Sequence, residues 1–311
     1  MKKFAVTAIA AAAALGAGVA QAYTQGTFSN GFVVPNAYHE GMGNTTAVGI
    51  TNASAAPVSV YWTFFDQDSN HVTDGCFVMT GKDYEPFVWA AKSGTGLEKA
   101  RGYLVFAQGA TAPAAGKCAA NDTLASPASG MISGSAFQVI TGSQDVGYTP
   151  VIDGPLTIGG APTDLTTLGP NSLTAVAGAA PVGNVMTMRY FVDGAAAGND
   201  TAIAVWSVGD QRGTHTVNMY DDKQERKSVN FALTKKELDW FNPETIGGRP
   251  AHFTDGFIEW NTGVVPGDYP GLVPAEALGS KPGVLGVFTF SVINSPAFGA
   301  MQTILGAHRA P

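Results

Sequence analysis

Residues 58–80 read VSVYWTFFDQDSNHVTDGCFVMT, and this stretch decides the fold class. Val58, Val60, Trp62 and Phe64 alternate with Ser59, Tyr61, Thr63 and Phe65, the two-residue period of a strand, and the β-branched and aromatic content agrees. Asp66-Gln67-Asp68-Ser69-Asn70 supplies short polar side chains that bond their own backbone. A turn is predicted there, with a return strand from His71 to Thr80. Aromatics stand on both faces of the first strand, so the face holding Tyr61 and Phe65 needs a cover of its own. That cover is the chain's own loop, its other half or a partner, which makes Tyr61 and Phe65 the candidate contact face.

The hairpin has an echo. A shift of 155 residues lays Asn44–Ile50 on Asn199–Val205 and Asp66 on Asp221 without a gap, with four identities in the 23 positions from Asn44 to Asp66. With one deletion Gly102–Phe106 matches Gly256–Trp260, and with a second Phe137–Ile140 matches Phe290–Ile293. Conserved order and spacing, rather than identity, argue for an internal duplication. The same alignment puts Phe231 at the position of Cys76.

Met1-Lys2-Lys3, the apolar run Phe4–Ala20 and Ala20-Gln21-Ala22 have the three parts of a signal peptide in order, so residues 1–22 are expected to be removed and the product secreted. That leaves 289 residues (311 − 22), enough for two domains, and no later stretch reaches transmembrane length. Loss of Lys2 and Lys3 takes the formal charge from −7 to −9, which argues against nucleic acid as a partner. Charged residues are 13 % of the chain, sparse enough for a surface that contacts other copies.

Short strands separated by Gly, Pro, Asn and Ser turns run through Gly31–Tyr38, Thr46–Asn52, the hairpin, Pro86–Ala91, Arg101–Ala107, Met131–Thr141 and Val146–Asp153. This spacing predicts an all-β chain of two tandem antiparallel sandwiches, immunoglobulin-like, with a jelly roll as the alternative. The boundaries are 23–153 for the first repeat, 154–183 for a Gly/Pro/Thr-rich linker and 184–311 for the second. Lys235–Phe241 could add one helical turn. Long loops at 108–130 and 261–283 interrupt the two repeats at the same place, as binding or assembly elements or as passive insertions.

Cys76 and Cys118, the two cysteines of a secreted chain, are expected to form a disulfide. Asp66, Asp68, Asn70 and Asp74 stand at positions 1, 3, 5 and 9 of a calcium-type loop. His71 in place of the loop glycine and Phe77 in place of the closing glutamate break the EF-hand pattern, so calcium competes with a plain hydrogen-bonded turn. Calcium is the one cofactor these residues suggest. No nucleophile elbow, paired-histidine zinc helix or phosphate loop occurs, and a catalytic role is not expected.

These features favour a secreted, non-catalytic structural or adhesive protein of the cell surface or extracellular space. Its contacts would be self-association or a surface partner. Light guarding of strand edges around Thr46–Asn52 and Met131–Thr141 points to self-association, with Ile50 and Val139 on the paired edges. The alternative is a periplasmic or secreted carbohydrate-binding module, with a glycan stacked on Tyr61 or Phe65. A hydrolase using Asp66, Asp68 and Asp74 ranks third.

Overall fold

A computed structural model describes residues 26–159, 164–169, 172–176, 185–193, 198–262 and 286–309. The predicted signal peptide and nearly all of the predicted second long loop lie outside the described residues. The first half contains β1 (Gly31–Ala37), β2 (Asn44–Asn52), β3 (Val58–Asp66), β4 (His71–Met79), β5 (Asp83–Val88), a single helical turn α1 (Trp89–Lys92), β6 (Gly102–Gln108), β7 (Ile132–Ile140), β8 (Asp145–Thr149) and β9 (Ile152–Asp153). A ribbon of β10 (Leu156–Ile158) and β11 (Leu173–Val176) follows. The second half contains β12 (Val185–Phe191), β13 (Asp200–Trp206), β14 (Gly213–Asp221), β15 (Arg226–Leu233), β16 (Leu238–Phe241), β17 (Asp255–Asn261), β18 (Phe288–Ser295), β19 (Ala300–Leu305) and β20 (Ala307–Arg309).

The chain is nearly all β, and its strands pair antiparallel. In the first half the sheets run β4-β3-β6-β1-β9 and β5-β2-β7-β8; in the second they run β15-β14-β17-β12-β20 and β16-β13-β18-β19. Counted from β1 and from β12, the strand order is the same. Local chemistry repeats as well. Thr46 Oγ1 bonds both N–H and C=O of Tyr38, while Thr201 Oγ1 bonds both of Phe191. Phe65 pairs with and stacks on Tyr103 at 5.2 Å, and Tyr220 pairs with and stacks on Phe257 at 4.8 Å.

Two of the sequence matches are displaced. Ala47 pairs with Phe137 but Ala202 pairs with Val292, so the counterpart of Phe137 is Val292 rather than Phe290. A two-residue slip returns every side chain to its face, which is why alternation alone did not detect it. In β4 the register jumps between Thr73 and His71, leaving Val72 as an extra bulge residue, whereas β15 pairs without a break. Cys76, opposite Tyr61, therefore corresponds to Asn230, opposite Thr216, and Phe231 turns into the core instead.

Three other expectations change. Leu238–Phe241 is strand β16, not a helical turn, and its start is pinned to the first half by backbone bonds from Glu237 and Leu238 to the Gln67 carbonyl, both 3.1 Å. β2 and β7 are interior strands, and Ile50 is 0 % exposed, so neither Thr46–Asn52 nor Met131–Thr141 is an open edge. The stretch taken as a linker carries β10 and β11 and buries Leu156, Leu165, Leu168, Leu173 and Val176.

Each half has a core lined from both of its sheets. In the first, Phe32, Val60, Trp62, Phe64, Leu104 and Phe106 meet Val48, Ile50, Phe87 and Ala136. Met186, Met188, Met219, Ile258 and Trp260 meet Ile203 and Val205 in the second. A third cluster forms the seam between halves. Tyr61, Phe65, Tyr103 and Val105, on the outer face of β3 and β6, pack with Ala204, Trp206, Leu238, Phe288 and Phe290 and with the linker leucines. Burying side chains of this size stabilises by roughly 1.5–3 kcal/mol each. Trp206 meets Tyr103 edge-on at 5.8 Å. Its truncation is expected to open a cavity there: Trp206→Ala should lower stability by about 3–5 kcal/mol, with the loss visible as earlier urea unfolding of the second half than of the first.

Candidate functional site

The β3–β4 turn folds as its sequence predicts but serves the seam. Asp66 Oδ1 accepts the backbone N–H groups of Asp68 and Asn70, each at 2.9 Å, and its Oδ2 takes Asn70 Nδ2 at 2.9 Å. Asp68 points across the seam, where Lys235 Nζ and the Lys236 N–H donate to its two oxygens, each at 3.1 Å. Those partners hold its carboxyl below the ordinary range against the opposing effect of burial, which is the largest single influence. Asp74 pairs with His71 at 3.1 Å. The structure thus does not bring Asp66, Asp68 and Asp74 together: among the described residues the one cluster of three such ligand groups within 4.8 Å of one another is Asp221, Glu225 and His252.

Below the turn lies a buried polar chain. Tyr103 donates to Glu237 Oε2 at 2.6 Å, and Ser69 Oγ sits 2.6 Å from the Tyr103 hydroxyl. Glu237 is 4 % exposed, and burial pushes its carboxyl up to about 7 despite the Tyr103 and Ser69 hydrogen bonds and nearby Lys236. Burial, then Glu237, raises Tyr103 in turn.

Tyr61 and Phe65 are covered by the chain itself. The Tyr61 hydroxyl donates to the Ala119 carbonyl at 2.6 Å and lies 3.2 Å from Asp122 Oδ2; burial, then Asp122, pushes it to about 12. Asp122 also caps the N–H groups of Thr111 and Thr123. Cys76 and Cys118 are joined as a disulfide across 42 residues, so the first long loop is fastened over the sheet at both places. The candidate contact face is therefore interior, and its cover is the first long loop, the linker and the second half.

At one end of the seam, Arg101 is sandwiched between Tyr38 (4.5 Å) and Trp240 (4.1 Å) and donates to Asn36 Oδ1. Burial lowers the guanidinium to about 10, which leaves it a cation at neutral pH. The adjoining cleft, bordered by Asn44, Gln138 and Met301, is about 160 Å³, below the usual size of a small-molecule site.

What remains open is the outer face of β5-β2-β7-β8. Directly paired residues share a face, and here they form the rows Val88–Ala47–Phe137–Tyr148 and Thr45–Val139–Val146, flanked by Tyr84 and Pro86 opposite Thr51 and Gly49. No charge stands in these rows. Tyr84 is 60 % exposed and its ring packs against Gly49, where a Cβ would come within 2.8 Å of Cε2 and 2.9 Å of Cζ. The sequence reading missed this surface because it weighed β3; the clue was that Ala47 and Thr51, alternating with buried Val48 and Ile50, carry no charge, whereas Thr45 and Gly49 on the same face are buried under the Ala90 N–H and the Tyr84 ring. In the second half the counterparts of the flanking Thr51 and Gly49 positions, in the rows Leu238–Trp206–Phe288 and Trp240–Ala204–Phe290, are packed in the seam, while the counterpart of the Phe137 row, Ala202–Val292–Thr303, borders it with Val292 partly buried.

No family model matches the sequence, and no curated protein matches it. Among solved structures, the DEL162-163 mutant of Bacillus subtilis oxalate decarboxylase OxdC is matched at 10 % identity over 88 % of this chain and 68 % of that chain, with a TM-score of 0.19. Likeness at that level carries no argument about fold or activity.

The Glu237 carboxyl gives the seam a pH dependence of defined sign. A folded value of about 7, above the ordinary 4.5, means that its contribution is complete below pH about 4.5 and is lost as pH rises through about 7. Stability should fall by roughly 2–3 kcal/mol across that window. Glu237→Gln should flatten this part of the profile, as read from denaturant midpoints between pH 5 and 8.

Proposed function

We propose that this is a secreted, non-catalytic structural or adhesive protein of the extracellular space or cell surface, built as two tandem β-sandwiches from an internal duplication, and that it acts through the open face of β5-β2-β7-β8. The observation that carries the reading is the fate of that face in the other half. There the part of the corresponding sheet face at the Thr51 and Gly49 positions is buried in the seam and Val292, at the Phe137 position, borders it, so this face already serves in part as an interface within the chain. Uncharged exposed patches with aromatic residues mark contact sites.

Supporting the duplication are the shared strand order and the repeated Thr46/Thr201 and Asp66/Asp221 bonding. Secretion is supported by the pattern of residues 1–22 and by the disulfide, and no helix among the described residues is long and apolar enough to cross a membrane. Asp66, Asp68 and Asp74 are engaged by backbone, lysine and histidine partners, which leaves a hydrolase reading without a pair of acids at that turn.

A second reading, a carbohydrate-binding module, draws on the exposed Tyr84 ring beside Gly49, an aromatic group that a sugar could stack on. One experiment separates the two. Protein spanning 23–311 should gain mass with concentration in light scattering, and Phe137→Ser or Val139→Lys should weaken association about tenfold or more while circular dichroism is unchanged. A strictly monomeric protein that binds a glycan array through Tyr84 would replace the first reading with the second.

A further inference from the structure

The two hairpin turns share their backbone bonding but differ at four side chains, and the difference at the last, Asn70 against Glu225, has a chemical consequence. In the first, Asp66 Oδ1 caps two N–H groups, its own N–H reaches the Asn70 carbonyl at 3.1 Å, and Ser69 takes φ 64°. In the second, Asp221 Oδ1 caps the N–H groups of Lys223 (3.0 Å) and Glu225 (2.7 Å), its N–H reaches the Glu225 carbonyl at 3.1 Å, and Gln224 takes φ 68°. Backbone and first oxygen are thus superimposable in role. The second oxygen is not. Asp66 Oδ2 receives the Asn70 amide, but position 225 holds a glutamate, which brings an acceptor where the first turn has a donor.

Asp221 is 6 % exposed, and its Oδ2 is buried with no hydrogen-bond partner. No salt bridge within 4.0 Å reaches it among the described residues. A desolvated carboxylate oxygen left this way is costly, and a second carboxylate beside it compounds the cost. A third group completes the arrangement. His252, in the 250–253 turn held by buried Phe253 and by Arg249 Nη1 on the Phe253 carbonyl (2.7 Å), places Nε2 2.9 Å from Glu225 Oε2. One ligand atom from each of Asp221, Glu225 and His252 lies within 4.8 Å of the other two.

We infer that Asp221, Glu225 and His252 bind a divalent transition cation of the zinc type, which supplies the positive partner that Asp221 Oδ2 lacks. One imidazole nitrogen and two carboxylate oxygens suit zinc, with water in a fourth position; calcium, which takes six to eight oxygens, is poorly served by this set. The cation ties the β14–β15 hairpin to the 250–253 turn. This is a structural clip in the second half that the first half replaces with the Asn70 amide, and it is independent of the open face.

The test uses the full chain, stripped with chelator, and zinc chloride as the probe. Titration calorimetry should show one zinc per chain, with a matching rise in melting temperature, and calcium chloride should give neither. His252→Ala and Glu225→Gln should each lose the zinc response; both native side chains are 59 % exposed, so folding survives and circular dichroism verifies it. Glu225→Asn is the decisive variant. It restores the donor of the first turn, and should raise the melting temperature of the metal-free protein while abolishing the zinc response. Absence of zinc uptake by the native chain overturns the inference. So do uptake that persists in His252→Ala and Glu225→Asn, calcium binding as tight as zinc, or a metal-free Glu225→Asn protein no more stable than the native chain.

Discussion

A strand that is apolar on both faces has to be covered twice, and β3 imposes that requirement on the whole chain. Its residues from Val58 to Phe65 are all buried. Trp62 and Phe64 are covered by the sheet of the same half. Tyr61 and Phe65 need something else, and the chain answers with three pieces: the disulfide-tethered loop, the leucine-bearing linker, and the outer face of β13, β16 and β18. None of them contributes to the core between the two sheets of the first half; they close its second side. The halves are therefore packed domains sharing a seam, rather than beads on a flexible tether.

Much of this could be read from residues, and the limits have physical causes. Two-residue alternation located β3, β4, β6 and β17, because a half-buried strand repeats every second position. It could not register Val72, since a bulge adds one residue without changing composition, nor the displacement of Phe290 against Phe137, since two residues restore the face. Linker burial was hidden because Leu156, Leu165, Leu168, Leu173 and Val176 follow no period among Gly, Pro and Thr; an irregular segment packs by where its leucines land. Lys235–Phe241 is open to one helical turn on sequence alone. Its strand form comes from Gln67 in the other half, a partner no local pattern announces. The pairing of cysteines was legible from their number, whereas the convergence of His252 with Asp221 and Glu225 required the fold.

The two halves differ most where they meet water. On the five-stranded sheet of the second half, the outward positions of Phe65 and Tyr103 keep aromatics, Tyr220 and Phe257, but their neighbours are polar or charged: Thr187, Arg189, Asn218 and Glu259. Arg189 is ion-paired to Asp255 there. This surface is more polar than its counterpart on β3 and β6, in the manner of a terminal repeat in repeat proteins. The first half ends instead in the uncharged rows around Phe137.

That difference sets the symmetry available to any assembly. Head-to-tail joining repeats one kind of junction indefinitely, but it requires the two ends of a molecule to complement each other, and here one end is apolar while the other is polar and charged. Two copies can satisfy the apolar end by meeting on a twofold axis, each hiding the same surface in the other. Such an arrangement is closed: it has no third place to fill, and both outward ends of the pair are already hydrated. Under the proposed function, the polar substitutions on the second half would therefore favour a closed pair over an open fibre.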